Sequence, residues 1–225
     1  MRGWSLFFRS AQQPPNEQRD STNEARALFE RALQIDPNDA DALSGSAQMY
    51  YVDRQNGWGD PGTDYEAKVF GQANRAIALA PDSARGYVAK AHYLNMSGRP
   101  SEALGVTDVG LAINPNFVPL YFPRAVALNS LGRFEQAKAD AERAMRLSPH
   151  DPYIGAFHVD VGDAEAGLGH LDAAINEYRK AIDSGFHRYF AYTNLAAAYA
   201  QAGKMDEAKP SPKPAASTLQ SRSNG

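Results

Sequence analysis

The sequence contains no cysteine and no long apolar run, and its positive and negative charges nearly cancel. The lack of cysteine excludes a disulfide framework and thiolate catalysis. A net charge of −3 gives no indication of a polyanionic partner such as nucleic acid. No stretch approaches the roughly 18 apolar residues that a membrane span needs, and the N-terminal apolar cluster is too short for a signal peptide. We therefore expect a cytoplasmic protein that binds neither nucleic acid nor a membrane.

The sequence also lacks the local motifs of enzymes that use a nucleophilic serine, a phosphate-binding loop or a helical zinc site. His158, Asp160, Asp163 and His170 lie close together in the sequence. Their spacing matches no metal-ligand motif, and solvated or groove-lining roles are more common for such clusters. We predict no catalytic residue, no metal site and no cofactor.

One glycine motif in the sequence matches a dinucleotide-binding fingerprint. Gly57, Gly59 and Gly62 form a literal G-x-G-x-x-G, which holds a pyrophosphate in dinucleotide-binding folds when it lies between a strand and a helix. No strand pattern precedes these glycines, and Pro61 removes one backbone donor from such a cradle. We interpret the segment as a loop insertion, with a small-ligand or nucleotide site in this loop as the alternative.

A period of 34 residues runs through the chain. Pro81, Pro115 and Pro149 are 34 residues apart, and so are Gly98 and Gly132. Between these markers, apolar residues recur at i, i+3, i+4 and i+7, which is typical of amphipathic helices. A glycine in the left-handed conformation ends the first helix of each unit, and a proline stops the second. Each unit is therefore predicted to be a helix, a tight turn, a second helix and a stop.

These units resemble the tetratricopeptide repeat (TPR) family. The resemblance rests on large, small and turn residues at corresponding positions of three units and on part of a fourth. They are Tyr121, Ala125, Leu128, Gly132, Ala137, Ala144 and Pro149; Tyr87, Ala91, Leu94, Gly98, Ala103 and Pro115; Tyr192, Leu195, Ala196, Tyr199, Gly203 and Ala208; and Ala25, Phe29, Ala32 and Pro37. The resemblance implies an all-α fold, a right-handed superhelical solenoid of antiparallel helix pairs.

We predict that the solenoid occupies residues 1–209. Its units are about 1–37 (truncated at the start), 38–81, 82–115, 116–149, 150–186 and a half unit at 187–209. The unit 38–81 exceeds the period because of a loop predicted around Val52 to Asp64. Residues 210–225 are rich in serine, proline, alanine and lysine, and we predict that they are disordered. We hypothesise that this tail is a frameshift product, since codons permitted within Ser211 to Ser221 can be read one frame over as AEARRLNP, which would continue the repeat.

In TPR proteins the first helix of each pair forms the concave wall of the superhelix, and the resemblance implies that a partner binds there. The residues predicted to project from this wall are Ser44, Gln48, Arg85, Val88, His92, Asn95, Phe122, Val126, Asn129, Phe190 and Thr193. This mixture of apolar and amide groups suits an extended peptide or a partner helix. Trp58 on the inserted loop has two interpretations, because it either anchors a partner or folds back to cover a helix pair.

The predicted function is a non-enzymatic scaffold that binds a protein or peptide partner whose identity the sequence does not give. The segment Asn-Gly-Trp-Gly-Asp-Pro-Gly after Tyr51 resembles TPR regions attached to bacterial class III adenylate cyclases. That narrower resemblance implies a bacterial protein whose repeats regulate a larger cyclase-like signalling protein, although this chain carries no cyclase domain. A further alternative is a truncated fragment without independent function, in which uncovered apolar ends favour self-association.

Overall fold

The computed structural model describes residues 2–10, 13, 15–186 and 188–208. Within these ranges the chain forms eleven α-helices and no strand. The helices are α1 (Arg2–Ser10), α2 (Pro15–Ile35), α3 (Ala40–Asn56), α4 (Tyr65–Leu79), α5 (Tyr87–Met96), α6 (Pro100–Ile113), α7 (Tyr121–Ser130), α8 (Phe134–Leu147), α9 (Ile154–Gly167), α10 (Leu171–Asp183) and α11 (Tyr189–Gln201). Single turns of 3₁₀-helix at Ala84–Gly86 and Val118–Leu120 lead into α5 and α7.

Consecutive helices pack as antiparallel pairs, α1 with α2 and so on to α9 with α10, and each pair packs on the next. The prediction of a right-handed superhelical solenoid of helix pairs is confirmed. The helix pairs lie inside the predicted units, and α11 lies in the half unit. Among the described helices, none combines the length and the hydropathy that a bilayer crossing requires. The tail at 210–225 lies outside the described residues.

The turn inside each of the four pairs from α3–α4 to α9–α10 contains a glycine with a positive φ. Gly132 has φ 71°, and Gly98 has φ 72° at the corresponding position. At the turn that contains Gly132, the backbone nitrogen of Arg133 donates to the carbonyl of Leu128 at 2.9 Å. This bond reverses the chain and satisfies a carbonyl at the end of α7. Glycine suits the turn, because a residue without Cβ adopts a positive φ readily.

The loop inserted in the second pair is shorter than the sequence predicts. The segment from Val52 to Asn56 belongs to α3, and the loop begins at Gly57. Val52 is 7% exposed and packs in the core, which favours the continuation of the helix. Gly57, with φ 64°, then ends α3. The Asp64 side chain accepts a hydrogen bond from the backbone nitrogen of Ala67 and so begins α4.

Small side chains hold α7 and α8 close together. Ala137, Ala141 and Ala144 lie along one face of α8, and each is fully buried. Facing them, Ala125 and Leu128 of α7 are also fully buried. Close helix packing requires small residues at the points of contact, and alanine also favours the helix itself. The core therefore consists of a series of clusters along the solenoid. The first helices of the pairs contribute to these clusters and also form one continuous surface.

Candidate functional site

A groove of about 380 Å³ lies mainly along the first helices of the pairs. It begins at α1, crosses α3, α5, α7 and α9, and ends at α11. Most of its lining is aromatic or aliphatic, and residues 117–119 and 151–153 complete it between the helices. Its volume lies in the range of roughly 300–1,000 Å³ that is usual for ligand sites.

Six aromatic side chains form a continuous line of ring contacts across this groove. The line begins on α1, passes to the segment before α9, and returns through α7 and α5 to α3. The centroid distances are 5.8 Å for Trp4–Phe8, 6.2 Å for Phe8–Tyr153, 6.4 Å for Tyr153–Phe122, 5.3 Å for Phe122–His92 and 4.9 Å for His92–Tyr51. Contacts of this kind add to the stability that burial gives, so the rings form a rigid floor.

The N-terminal helix is fixed to this floor by a polar contact. Trp4 Nε1 donates to Asp41 Oδ2 at 3.1 Å, and Arg85 Nε lies 2.8 Å from the other carboxylate oxygen. The guanidinium of Arg85 also stacks over Trp4 at 4.7 Å and lies 5.7 Å from the Phe117 ring. Arg85 thus lines the groove, but its charge is neutralised by Asp41 and its face is covered by aromatic rings.

His92 contributes a neutral ring at the centre of the groove. It stacks on Tyr51 with an interplanar angle of 18°. Burial disfavours the charged imidazolium and lowers the pKa of His92 to about 4. At neutral pH the side chain is therefore an uncharged aromatic surface and offers no positive charge to a ligand.

The structure brings together six of the predicted wall residues and Trp58. The six that line the groove are Gln48, Arg85, Val88, His92, Phe122 and Phe190. Trp58 lines the same groove while it packs against the core cluster around α3. The two interpretations of this tryptophan therefore describe one position, because the ring covers the helix pair and also presents part of its surface to the groove.

The other five predicted wall residues lie outside the groove lining. The Ser44 hydroxyl donates to the carbonyl of Ala40 in its own helix. Asn95 and Asn129 donate to backbone carbonyls of the next first helix, at 2.7 and 2.9 Å, and so join neighbouring pairs. Val126 and Thr193 lie farther along their helices than the lining residues of α7 and α11.

Several lining residues were not predicted from the sequence. They are mainly aromatic, and they include Trp4, Phe7, Phe8, Tyr51, Phe117, Tyr153, Phe157, Phe186 and Tyr189. Arg188 also lines the groove. One signal was available for Tyr153, because Gly132 and Gly169 are 37 residues apart and the excess over the period falls just before α9. Extra residues at that point extend the groove wall between α7 and α9.

Neither the histidine and acidic residues at 158–170 nor the glycine loop at 57–62 forms a chemical site among the described residues. The described part of the chain contains no group of three histidine or acidic side chains placed to hold a metal ion. His158 instead pairs with Glu177, and His170 with Glu165, each at 2.8 Å. The loop from Gly57 follows a helix, and the carboxylate of Asp64 occupies the beginning of α4, where a phosphate would bind in a dinucleotide fold.

Comparisons with known proteins agree with this architecture. A tetratricopeptide repeat family model matches residues 118–151, which contain α7 and α8. The chain is 31% identical over 106 residues to the small glutamine-rich tetratricopeptide repeat-containing protein 2 of Mycosarcoma maydis, covering 43% of this chain and 28% of that protein. It is 36% identical over 80 residues to the Hsp70-Hsp90 organizing protein of Triticum aestivum, covering 34% of this chain and 14% of that protein.

Solved structures are similar along most of the chain. A thermophilic TPR protein of Thermus thermophilus gives a TM-score of 0.63 at 20% identity, covering 88% of this chain and 99% of that one. Cut9 from the Cut9–Hcn1 complex gives a TM-score of 0.72 at 17% identity, covering 85% of this chain and 36% of that one. The chain spans less than a third of the length of the two curated relatives that it matches.

Proposed function

We propose that this chain, which belongs to the tetratricopeptide repeat family, is a scaffold that binds an apolar segment of a partner protein in its aromatic groove. The observation that carries the proposal is the unbroken line of rings from Trp4 to Tyr51 across five helix pairs. A surface of this kind binds side chains of a peptide that runs along it.

The groove combines rigid and accessible aromatic surface. Phe157 is 1% exposed and Tyr51 is 7% exposed, so packing fixes both rings before any partner arrives. Tyr189 is 75% exposed and lies at the rim. Preformed aromatic anchors lose little conformational entropy on binding, and aromatic residues contribute a large share of binding energy at protein interfaces. These features support a protein partner.

The narrower prediction of a regulatory segment in a cyclase-like protein rests on the resemblance of the loop around Trp58 alone. It stays a prediction, and so does self-association through the ends of the solenoid. The alternative of a nucleotide site at Gly57–Gly62 is disfavoured by the helix that precedes the loop and by Asp64 at the start of α4.

Selection from a random peptide library displayed on phage tests the scaffold proposal directly. We expect the purified chain to enrich peptides that carry several apolar side chains, and Phe122→Ala and Tyr189→Ala each to weaken binding of an enriched peptide. An aromatic anchor of an interface contributes enough that the loss is about tenfold or more at Phe122. Tyr189→Ala removes a mostly exposed ring, so it tests the groove without a large effect on folding.

Leu147→Ala is the matched control for these variants. Leu147 ends α8 on a second helix, is 39% exposed, and does not line the groove. The control is expected to bind as tightly as the parent chain. Equal affinity of the parent, Phe122→Ala and Tyr189→Ala chains would place binding outside the groove, and a selection without enriched peptides would contradict the proposed function itself.

A further inference from the structure

Arg188 is a cation of the groove that has no ion-pair partner among the described residues. It is partly buried, and it lies in the segment that enters α11. The other arginine of the groove, Arg85, is paired with Asp41 at 2.8 Å. Both arginines line the groove, but among the described residues no carboxylate lies within 4 Å of Arg188 to neutralise its charge.

Two tyrosine side chains line the same groove as Arg188. Tyr51 comes from α3 and Tyr153 from the segment before α9, and both line the groove. The charge of Arg188 acts on both hydroxyls and opposes the rise that burial causes in their pKa values. Tyr153 also raises the pKa of Tyr51 further, with a smaller effect than burial. One groove thus contains three polar side chains from parts of the sequence that are far apart.

The hydroxyls of Tyr51 and Tyr153 are available as donors. Within the described part of the chain, neither hydroxyl makes a hydrogen bond, although both rings are held by aromatic contacts. Burial raises the pKa of Tyr153 to about 12, and it raises the pKa of Tyr51 further. Both hydroxyls therefore keep their protons at neutral pH, so each can donate one hydrogen bond to an acceptor that enters the groove.

We propose that Arg188, Tyr51 and Tyr153 form a carboxylate-binding subsite in the groove, which takes an acidic side chain of the partner peptide between apolar neighbours. The inference rests on the proposed function and adds the chemistry of one residue of the partner. A guanidinium and two hydroxyls match the oxygen atoms of a carboxylate, which accepts several hydrogen bonds. The surrounding rings exclude water and so strengthen this interaction.

The charges of the groove favour a carboxylate over a phosphate. The Arg188 guanidinium, which has no ion-pair partner among the described residues, balances one negative charge, whereas a phosphate carries roughly two at neutral pH. Asp151 also lines the groove, next to Tyr153, and would repel a dianion more than a monoanion. The apolar lining on both sides of the three donors then requires apolar side chains before and after the acidic residue.

The same phage selection tests the subsite when it is repeated with Arg188→Gln. The peptides are fused to the coat protein through their C-termini, so a terminal carboxylate is absent and enriched acids are side chains. We expect the parent chain to enrich aspartate or glutamate between apolar residues, and Arg188→Gln to keep the apolar preference while it loses the acidic one. Apolar enrichment without an acidic preference in the parent would overturn the subsite and leave the scaffold proposal standing.

A double-mutant cycle in solution measures the interaction between Arg188 and the acidic side chain of the peptide. An enriched peptide, synthesised with an amidated C-terminus, is compared with the same peptide in which the acid is replaced by its amide. We expect the amide to bind the parent about 10- to 100-fold more weakly, since hydrogen bonds to charged groups are strong. Arg188→Gln should bind the two peptides within about threefold of each other, as a double-mutant cycle requires for a direct pair.

Three further variants complete the test. Tyr51→Phe and Tyr153→Phe keep the rings and remove only the hydroxyls, so each is expected to reduce the preference for the acid by about 3- to 10-fold. Arg146→Gln removes a cation of α8 that is 68% exposed and does not line the groove, so it should leave the preference for the acidic peptide unchanged. A preference for the acid that survives in Arg188→Gln would overturn the assignment, even if the peptides bind in the groove.

Discussion

Helix pair α7–α8 packs alanine against alanine, whereas α9–α10 packs glycine against tyrosine at the corresponding positions. Ala125 and Ala141 are fully buried in one cluster. The residues 37 positions later are Gly162 and Tyr178, and a Cβ on that glycine would lie 2.5 Å from the tyrosine ring. The two pairs therefore fill this contact in different ways, because the missing side chain of Gly162 leaves the room that the Tyr178 ring occupies.

The two pairs also differ in buried charge. Leu128 of α7 is fully buried, and Glu165 occupies its position in α9 at 6% exposure. Glu165 is satisfied, because Lys138 of α8 reaches it at 2.5 Å. Asp160 is 2% exposed, and its Oδ2 has no hydrogen-bond partner among the described residues. The regular pair is therefore apolar inside, while the next pair carries one compensated and one uncompensated carboxylate.

One feature is retained in both pairs. Asn95 of α5 donates to the carbonyl of Pro123 in α7, and Asn129 of α7 donates to the carbonyl of Asp160 in α9. The acceptors stand at corresponding positions, although their side chains are unrelated. The link between neighbouring pairs thus depends on backbone position, which allows the side chains of one pair to change while the solenoid continues.

The largest effect on this comparison is expected from Gly162→Ala. The added methyl group meets the Tyr178 ring, so the free energy of unfolding should fall by about 1–3 kcal/mol. The control is Gly105→Ala in α6, where a Cβ would meet nothing within 4 Å and the better helix propensity should add about 0.5–1 kcal/mol. Urea denaturation of both variants measures the difference, and equal shifts would show that the glycine–tyrosine fit is not the constraint.

Much of this comparison was predictable from the sequence, but the groove was predictable only in part. The 34-residue period locates the pairs α5–α6 and α7–α8, because turn glycines and stop prolines act on the local backbone. The resemblance to TPR proteins implies that Gln48, Val88 and Phe122 lie on the wall, and all three line the groove. The position of Phe8 against Tyr153 depends on how far the superhelix curves between the first and fifth pairs, and local pattern does not determine that curvature.

Asp160→Asn is expected to have the opposite sign and a somewhat smaller size. Burial, with the nearby carboxylate of Asp163 as a second cause, raises the pKa of Asp160 well above its ordinary value of 3.8. At pH 7 the unfolded chain ionises Asp160, whereas burial opposes this ionisation in the folded chain, and asparagine removes that penalty. Stability should therefore rise by roughly 1–2 kcal/mol; asparagine still leaves polar atoms unpaired, which limits the gain. Thermal unfolding of both chains measures this gain, and a less stable variant would contradict it.

The pH dependence gives a second measurement for the same residue. The folded protein holds the Asp160 proton more tightly than the unfolded chain, so the neutral acid's contribution to stability is complete below pH 3.8 and is lost as the pH rises through the folded pKa. The advantage of Asp160→Asn over the parent should therefore be small near pH 4 and grow toward neutral pH. An advantage that stays constant over this range would mean that the carboxylate titrates as it does in the unfolded chain.

The smallest expected effect concerns the ion pair that joins the two helix pairs. Lys138→Gln removes the partner of Glu165, but the lysine side chain is 38% exposed and His170 still lies 2.8 Å from the other carboxylate oxygen. Solvent therefore screens much of the interaction, and we expect a loss of about 0.5–1 kcal/mol that decreases as salt is added. Arg146→Gln breaks a more exposed pair at 3.8 Å and should cost less. Denaturation at low and high salt separates the two variants, and a salt-independent loss at Lys138 would mean that its alkyl chain, rather than its charge, joins α8 to α9.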